Sequence, residues 1–420
     1  MDHRKFDFSP FVMENRYDSV MAVTGEEIDR RWELLRQVMR DKNVGAAVLV
    51  SYRPGEMRGI HQWLAGSKRI EYIVFPVEGT PVAVFGGTPN ADGSFNRDAL
   101  PGFGKLPQGF YGRVEYVNRL TDRRMAELMA ASGGRVGVYK MCDLTVSIRD
   151  EILKAVPGAE LLDITAEVDK AKATRSEMDI RLTQEAALMC QRVHEALPTI
   201  LQEGRTYVEV MADTIYVGLK NGSSAEVMMF INENFDSHGD RLPAERAPYP
   251  GTRYKKGDIV GMLVESDSWG GYNSMHDRYY CFGEPAEDFK IRFVTANDAN
   301  LLVGKLLYEG NTTRNVAETV NQFIRDRGYY TDDCNYLHSC GYATWEDPSK
   351  SDRSIGVPNI FDSENWPLKE GQQLMTHPHV GPIGGAKVDR SKFVRCGSSW
   401  VVGKTEAARA NDISNQYIVV

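Results

Sequence analysis

The sequence predicts an α/β protein of mixed (α+β) type in two parts: an N-terminal α/β domain over residues 1–165 and a larger, pseudo-symmetric domain over residues 166–420. Three observations predict it. At 420 residues the chain exceeds one ordinary core. Short apolar runs alternate with helical patterns through the first part. Beyond residue 166 one helix–turn–helix pattern occurs twice.

Residues 1–25 are polar and aromatic without periodicity, and read as an arm lying on a neighbour. Asp29–Lys42 places Leu34, Leu35, Val38 and Met39 at helical spacing. Val44–Ser51 reads as a buried strand. Tyr72–Val77 and Pro81–Phe85 are two more strands, separated by a turn at Glu78-Gly79. Arg135–Tyr139 is a further strand, and Ser147–Ala155 a helix. The longest helical pattern follows, opened by Ser176 with Glu177 and Asp179, carboxylates that suit the positive end of a helix. The domain boundary falls just before it.

The repeat lies past that helix. Ile200-Leu201-Gln202-Glu203-Gly204-Arg205-Thr206 ends one helix and opens another. Leu306-Leu307-Tyr308-Glu309-Gly310-Asn311-Thr312 does the same 106 residues later. Each Gly fits a helix stop and each Thr the next N-cap. His238 follows the first copy and His338 the second, so two similar halves with a cleft between them are expected.

Composition narrows the function. Apolar content of 42% and charged content of 26% are those of a globular protein. A net charge of −8 argues against a nucleic-acid surface. No apolar run approaches the roughly 20 residues that span a bilayer, and the N-terminus lacks the pattern of a signal peptide. Six cysteines without a CxxC pair suit reduced thiols, and the expected location is the cytoplasm. Of eight histidines, His238, His276, His338, His377 and His379 fall in the second domain. His377-Pro378-His379 puts two imidazoles on one face of an extended segment, where they suit a metal ion or an acidic ligand.

Several segments resemble one known family. Lys172-Ala173-Thr174-Arg175-Ser176-Glu177 is similar to its Lys-Ser-x-x-Glu opening, and Gly257-Asp258-Ile259-Val260 to its Gly-Asp strand. Gly271-Tyr272 through Gly283-Glu284-Pro285 is similar to its hairpin, Tyr336–Gly341 to its Gly-His-x-x-Gly turn, and Glu370-Gly371-Gln372-Gln373-Leu374 to its penultimate turn. Residues 170–405 thus resemble the pita-bread fold of methionine aminopeptidase, prolidase, aminopeptidase P and creatinase. The first domain resembles the N-terminal domain of prolidase and creatinase.

The metalloenzymes of that family hold two divalent ions with Asp, Asp, His, Glu and Glu. By the resemblance these positions fall at Leu263 or Val264, Met275, His338, His377 and near Asp389. Methionine and aliphatic side chains do not hold a hard dication, so no metal and no other cofactor is expected. Glu265 or Asp267 supplies a ligand only through a register shift, which turns side chains to the other face. Trp345-Glu346-Asp347-Pro348 stands where the peptidases carry His-Glu-x-Pro.

Creatinase is the family member without metals, and the site pattern is closest to it. The resemblance implies a metal-independent hydrolase of a C–N bond in a small nitrogen-rich substrate, an amidinohydrolase or amidohydrolase acting as a homodimer. It makes His238 the general base and Asp277, within the pair Asp277-Arg278, the carboxylate that orients a cationic carbon. His338 then donates to the developing oxygen, and His377, His379 and Asp389 bind substrate. The second guanidinium-binding glutamate of creatinase falls near Val388, a departure from the pattern. His276 points to the opposite face of a regular strand from Asp277. Arg53, Arg58, His61, Trp63 and Arg69 lie where such dimers reach into the partner's site. Two alternatives stand beside this reading. One is a metallopeptidase or aminopeptidase P-like enzyme with an altered site, a single zinc, iron or nickel ion at His338, His377, His379 and Asp389. The other is a non-catalytic binding protein on the same fold.

Overall fold

In a computed structural model the chain forms two compact units, a smaller one centred on Ala22–Thr174 and a larger one that takes in Arg175–Gly341 and Asp347–Val420. The structure describes residues 6–13, 23–50, 60–65, 72–84, 90–92, 114–117, 123–130, 133–141, 144–173, 175–223, 229–240, 250–267, 272–331, 338–339, 365, 367–383 and 393–420.

The smaller unit opens with α1 (Gly25–Asp41), started earlier than its apolar spacing predicts because Thr24 caps it by accepting from the Glu27 amide. Its strands are β1 (Ala46–Val50), β2 (Tyr72–Pro76), β3 (Val82–Val84), β4 (Glu115–Val117), β5 (Arg135–Tyr139) and β6 (Glu160–Asp163), and its other helices α2 (Ile60–Ala65), α3 (Arg123–Ala130), α4 (Val146–Ala155) and α5 (Thr165–Ala173). The sheet order is β4-β3-β2-β1-β5-β6, with β1, β5 and β6 parallel. Val48, Val74, Val136, Ile148 and Ile152 are in its core. The units divide at Thr174 rather than at 165, because α5 is bonded to this sheet. Thr165 Oγ1 accepts from the Lys140 amide (2.8 Å), and Asp169 accepts from the Tyr139 hydroxyl (2.8 Å).

The larger unit carries α6 (Glu177–Ile200), α7 (Tyr207–Lys220), β7 (Met229–Phe235), β8 (Ile259–Asp267), β9 (Asn273–Cys281), α8 (Glu287–Leu306) and α9 (Thr313–Asp326). After these come β10 (His338–Ser339), β11 (Gln373–Thr376), β12 (His379–Val380), β13 (Val394–Arg395), β14 (Ser398–Val401), β15 (Ala408–Arg409) and β16 (Ile418–Val419). Ser176 starts α6 through a reciprocal cap with Asp179. The described part of the N-terminal arm packs on its own chain. Phe8 joins the core beside Val217, and Asn221 Nδ2 donates to the Phe11 carbonyl (2.8 Å).

The predicted repeat is visible in the main sheet, ordered β10-β11-β14-β9-β8-β7, three strands to each half. Gly204 and Gly310 both take positive φ (84° and 91°), and Thr206 and Thr312 cap α7 and α9. Thr206 bridges to Arg253 and Thr312 to Pro367, just before Gly257 and Gly371, which again share positive φ (87° and 82°). These lead into β8 and β11. Leu263 and His377 then occupy equivalent places, each six residues past its glycine. Among the described residues no helix is long and apolar enough to cross a membrane.

Candidate active site

Strand alternation decides which residues share a face. In the β8–β9 hairpin Leu263 pairs with Asp277, Val264 with His276, and Glu265 with Met275. Val260, Met262, Val264 and Tyr280 pack into one core with Cys190, Val193 and Leu197 of α6. Leu263, Met275 and Met375 of β11 turn the other way and form a small buried cluster of their own. Ser399 of β14 joins these strands, its hydroxyl accepting from the Met275 amide (2.9 Å) and donating to the Met275 carbonyl (3.2 Å). The register therefore assigns the first family position to Leu263, because Val264 belongs to the helix-packed face. Glu265 shares the face of Leu263 without any shift, and its Oε1 accepts from Asn273 Nδ2 (2.8 Å).

One step along that face lies a charged cluster. Asp277 Oδ2 is 3.0 Å from His377 Nδ1 and 3.3 Å from Arg395 Nε. The Asp277 side chain is 4% exposed, whereas His377 and Arg395 are 19% and 20% exposed. Burial pushes the Asp277 carboxyl up, but Arg395 first and then His377 outweigh it and hold it below the usual carboxylate range. Burial lowers the His377 pKa, and the bond to Asp277 opposes this in part. Since an ionised carboxylate only accepts, Nδ1 carries the proton and Nε2 the lone pair. Gly397 leaves room for the contact: a Cβ there would stand 2.5 Å from Asp277 Oδ2 and 2.8 Å from His377 Nδ1. The Arg395 amide donates to the Tyr279 hydroxyl (3.0 Å). His379, half-buried on β12, pairs directly with Arg395 of β13 and packs on Phe393 (5.7 Å between centroids).

The other predicted residues are placed differently. His238 is not brought to Asp277. It lies three residues beyond Phe235, whose row pairs with Ile259 and Cys281, while Asp277 is in the row of Leu263 and Ile231. Four residues of strand separate the two rows, roughly 13 Å. His238 is 62% exposed, and its Nδ1 is 3.0 Å from Asp288 in the first turn of α8. His338 does lie in β10, opposite Met375. The matched histidines are not equivalent, however. Met375 is four residues past Gly371, and Gly261, four past Gly257, pairs with Glu233. Arg278 does not pair with Asp277 but donates from Nε to the Gln416 carbonyl (3.0 Å). His276 faces away, fully buried edge-on to His194 (5.3 Å between centroids). Asp389, and among the N-terminal candidates Arg53, Arg58 and Arg69, lie outside the described residues. Arg395 and Gly397 escaped the sequence reading. The only signal for them is that they stand two residues apart in the sequence.

As a set for two hard dications these residues fit poorly. Leu263 and Met275 are apolar and buried, and the Asp277 carboxylate is already shared by a guanidinium and an imidazole. Among the described residues no group of three or more His, Cys, Asp and Glu is placed to hold an ion; the single-ion arrangement includes Asp389, which lies outside them.

Comparison with known proteins bears on the same point. The profile of metallopeptidase family M24 matches residues 181–404. A probable dipeptidase PepE of Mycobacterium tuberculosis is 23% identical over 181 residues, 42% of this chain and 47% of that protein. The match thus spans about half the length of the curated relative. Among solved structures, dipeptidase PepE from Mycobacterium ulcerans superposes with a TM-score of 0.71 at 18% identity, covering 95% of this chain and all (100%) of that one. The X-Pro aminopeptidase from Thermotoga maritima gives 0.72 at 16%, covering 93% and 99%. The Xaa-Pro dipeptidase from Bacillus anthracis gives 0.70 at 16%, covering 94% and 100%. The matching profile is that of a metallopeptidase family, which overturns the expectation of a chain with no cofactor. With the profile matched over more than half of its length, the chain belongs to metallopeptidase family M24.

Proposed function

We propose that the protein hydrolyses a peptide-type C–N bond in a small substrate, as a dipeptidase or Xaa-Pro peptidase does, and that His377 with Asp277 handles the proton. The observation that carries this is the buried, ionised Asp277 standing behind a partly exposed His377 on the inner face of the sheet. Hydrolysis requires a water deprotonated as it attacks and a leaving nitrogen that is protonated. With Nδ1–H held by Asp277, Nε2 takes a proton from water as the C–O bond forms, and returns it to the nitrogen as the C–N bond breaks. Asp277 fixes the tautomer and stabilises the imidazolium between the two steps. No step is assigned to a metal ion, because the described residues do not compose a ligand set for one.

The guanidinium-directed, creatinase-like version of this chemistry loses its support. Asp277, the carboxylate meant to grip a substrate cation, is already gripped by Arg395 and His377. The peptidase alternative fits the family better. The test is release of free amine from a panel of dipeptides, Xaa-Pro included, with manganese, cobalt or zinc supplied in turn. Hydrolysis of at least one is expected, falling about 10²–10⁴-fold in His377→Ala with little change in the thermal transition. No hydrolysis with any of the metals, or full turnover by His377→Ala, overturns the reading.

A further inference from the structure

We propose that Asn300 of α8 is a positioning residue for the Asp277–His377 contact, acting from the helix side of the sheet through the Thr376 and Ser398 hydroxyls. What the contact does in catalysis rests on the peptidase reading above, whereas the positioning rests on hydrogen bonds and strand register alone.

Strand register comes first. Thr376 and Ser398 are direct cross-strand partners on β11 and β14, and Ser398 pairs in turn with His276 of β9. All three are fully buried. Each is the chain neighbour of a site residue: Thr376 of His377, Ser398 of Gly397, His276 of Asp277. Side chains alternate along a strand, so this row faces the helices while its neighbours face the site. The backbone ties the site row together as well, since the Asp277 amide donates to the Gly397 carbonyl (3.1 Å).

The bonds of Asn300 come second. Its side chain is fully buried. Nδ2 donates to Ser398 Oγ (3.0 Å), and Oδ1 accepts from the Thr376 hydroxyl (2.9 Å) and from Trp400 Nε1 (3.4 Å). The same indole also donates to Thr376 Oγ1 (3.2 Å), and Arg409 Nη2 donates to Ser398 Oγ (3.4 Å). One amide thus holds both members of a cross-strand pair. Gly304, one turn further along α8, lets the helix lie close enough for this: a Cβ there would stand 2.5 Å from the Trp400 ring.

The cost of placing an amide there comes third. Ala296, Ala299 and Val303 of the same helix belong to the apolar core. Among them an amide is unfavourable unless its groups are bonded, and an apolar side chain of similar size carries no such requirement. What the bonded amide adds over leucine is direction, because its donor and acceptor fix where the two hydroxyls lie. The site has little tolerance for movement: Gly397 already leaves no room for a Cβ between Asp277 and His377. Holding Thr376 and Ser398 therefore holds His377 and Gly397, one bond along each strand, at the separation the contact requires.

The experiment measures kcat and KM for the dipeptide and metal that give the native protein its highest turnover. Beside them it records the His377 Nδ1 proton by NMR, assigned by its loss in His377→Ala. Asn300→Leu fills the space without the bonds. Its kcat is expected to fall about 10–10²-fold, as small misplacements of reacting groups do, with KM unchanged and the proton signal shifted or lost. Thr376→Val and Ser398→Ala each give a smaller change of the same kind, and they carry the test if Asn300→Leu does not fold. Adding Thr376→Val to Asn300→Leu costs nothing further, since the two remove one interaction. Asn300→Asp, which keeps an oxygen for each hydroxyl, recovers part of kcat. Val303→Ala, a core truncation on the same helix, lowers the thermal transition but leaves kcat and the signal as they are. A signal that moves in Asn300→Leu but not in Val303→Ala upholds the positioning even if no dipeptide is cleaved, in which case the hydrolytic reading alone fails. Native kcat and signal in a folded Asn300→Leu, or in both hydroxyl variants, overturn it. So do equal changes in Val303→Ala, or a native protein that shows neither signal nor hydrolysis.

Discussion

Gly397 is the residue on which the candidate site is most finely balanced. It contributes no functional group, yet a methyl there would stand 2.5 Å from Asp277 Oδ2 and 2.8 Å from His377 Nδ1. Both atoms would have to move, and they belong to the one contact that sets the imidazole tautomer. Gly397→Ala is therefore expected to lower kcat about 10²-fold, as small misplacements of reacting groups do, while costing about 1–3 kcal/mol in stability. Steady-state kinetics beside urea unfolding separates the two effects, and normal turnover by Gly397→Ala would show that the contact is not catalytic. On the opposite face the same strand carries a different kind of histidine. His276 and His194 are fully buried, and no described residue bonds either ring nitrogen of His276. Burial lowers the pKa of His194 to about 3 and that of His276 well below the ordinary value. Folded, both stay neutral; unfolded, both take up protons near the usual 6.5. The unfolded state binds more protons as the pH falls below that value, so stability is full above it and declines toward about 3, by roughly 1.4 kcal/mol per pH unit for each histidine. His377, also lowered, adds to the slope in the same direction. Urea midpoints at pH 7.5 and 5.5 should differ in the native protein and differ less in His276→Leu. Equal slopes in the two proteins would remove His276 from the account.

At the scale of elements, the helix starts of the two halves make a matched test. Thr206 accepts from the Glu209 amide while Glu209 accepts from the Thr206 amide, a closed reciprocal cap. Thr312 accepts from the Asn315 amide, and the chain has no carboxylate there to return the bond. Thr312→Ala is expected to cost about 1 kcal/mol, and Thr206→Ala nearer 2 kcal/mol, because the Thr206 hydroxyl also donates to Glu209 Oε2 (2.8 Å). Equal costs in denaturant unfolding would show that this second hydroxyl contact adds nothing. These starts were legible in the sequence because capping is a local code, written within four residues. Four strands of the smaller sheet were legible for a similar reason, Arg135–Tyr139 being an apolar run long enough to read, while β4 and β6 were not read. The short strands that complete the site were not. β12 and β13 have two residues each, too few for any periodicity. The contact between Asp277 and Arg395 joins β9 to β13 across more than a hundred residues of sequence, and it is the pairing of the following strand, β14, with β9 that brings them together. His238 misled for the converse reason: a histidine before a Gly-Asp strand resembles a family motif, while its side chain is set by Asp288 of a helix that the motif does not include.

For the larger unit as a whole, the pseudo-symmetry exposes a division of labour. Leu263 and His377 sit at equivalent places in two halves built on the same plan, each six residues past a glycine of positive φ. By the resemblance these are the family's metal-ligand positions, and here one is core and the other carries a functional group. Leu263 is 3% exposed and packs with Met275 and Met375, whereas the His377 side chain is 19% exposed and bonded to Asp277. The two halves should therefore respond in opposite ways to the same truncation. Leu263→Ala removes buried methyl groups from a packed cluster and is expected to destabilise by about 2–5 kcal/mol. His377→Ala removes a partly exposed ring and should cost less than that, while abolishing most turnover. The comparison requires both quantities on both variants, since a site that merely lost stability would lose activity by unfolding. If His377→Ala proves the more destabilising of the two and retains its activity per folded molecule, both halves are structural, and the catalytic role passes to residues outside this face.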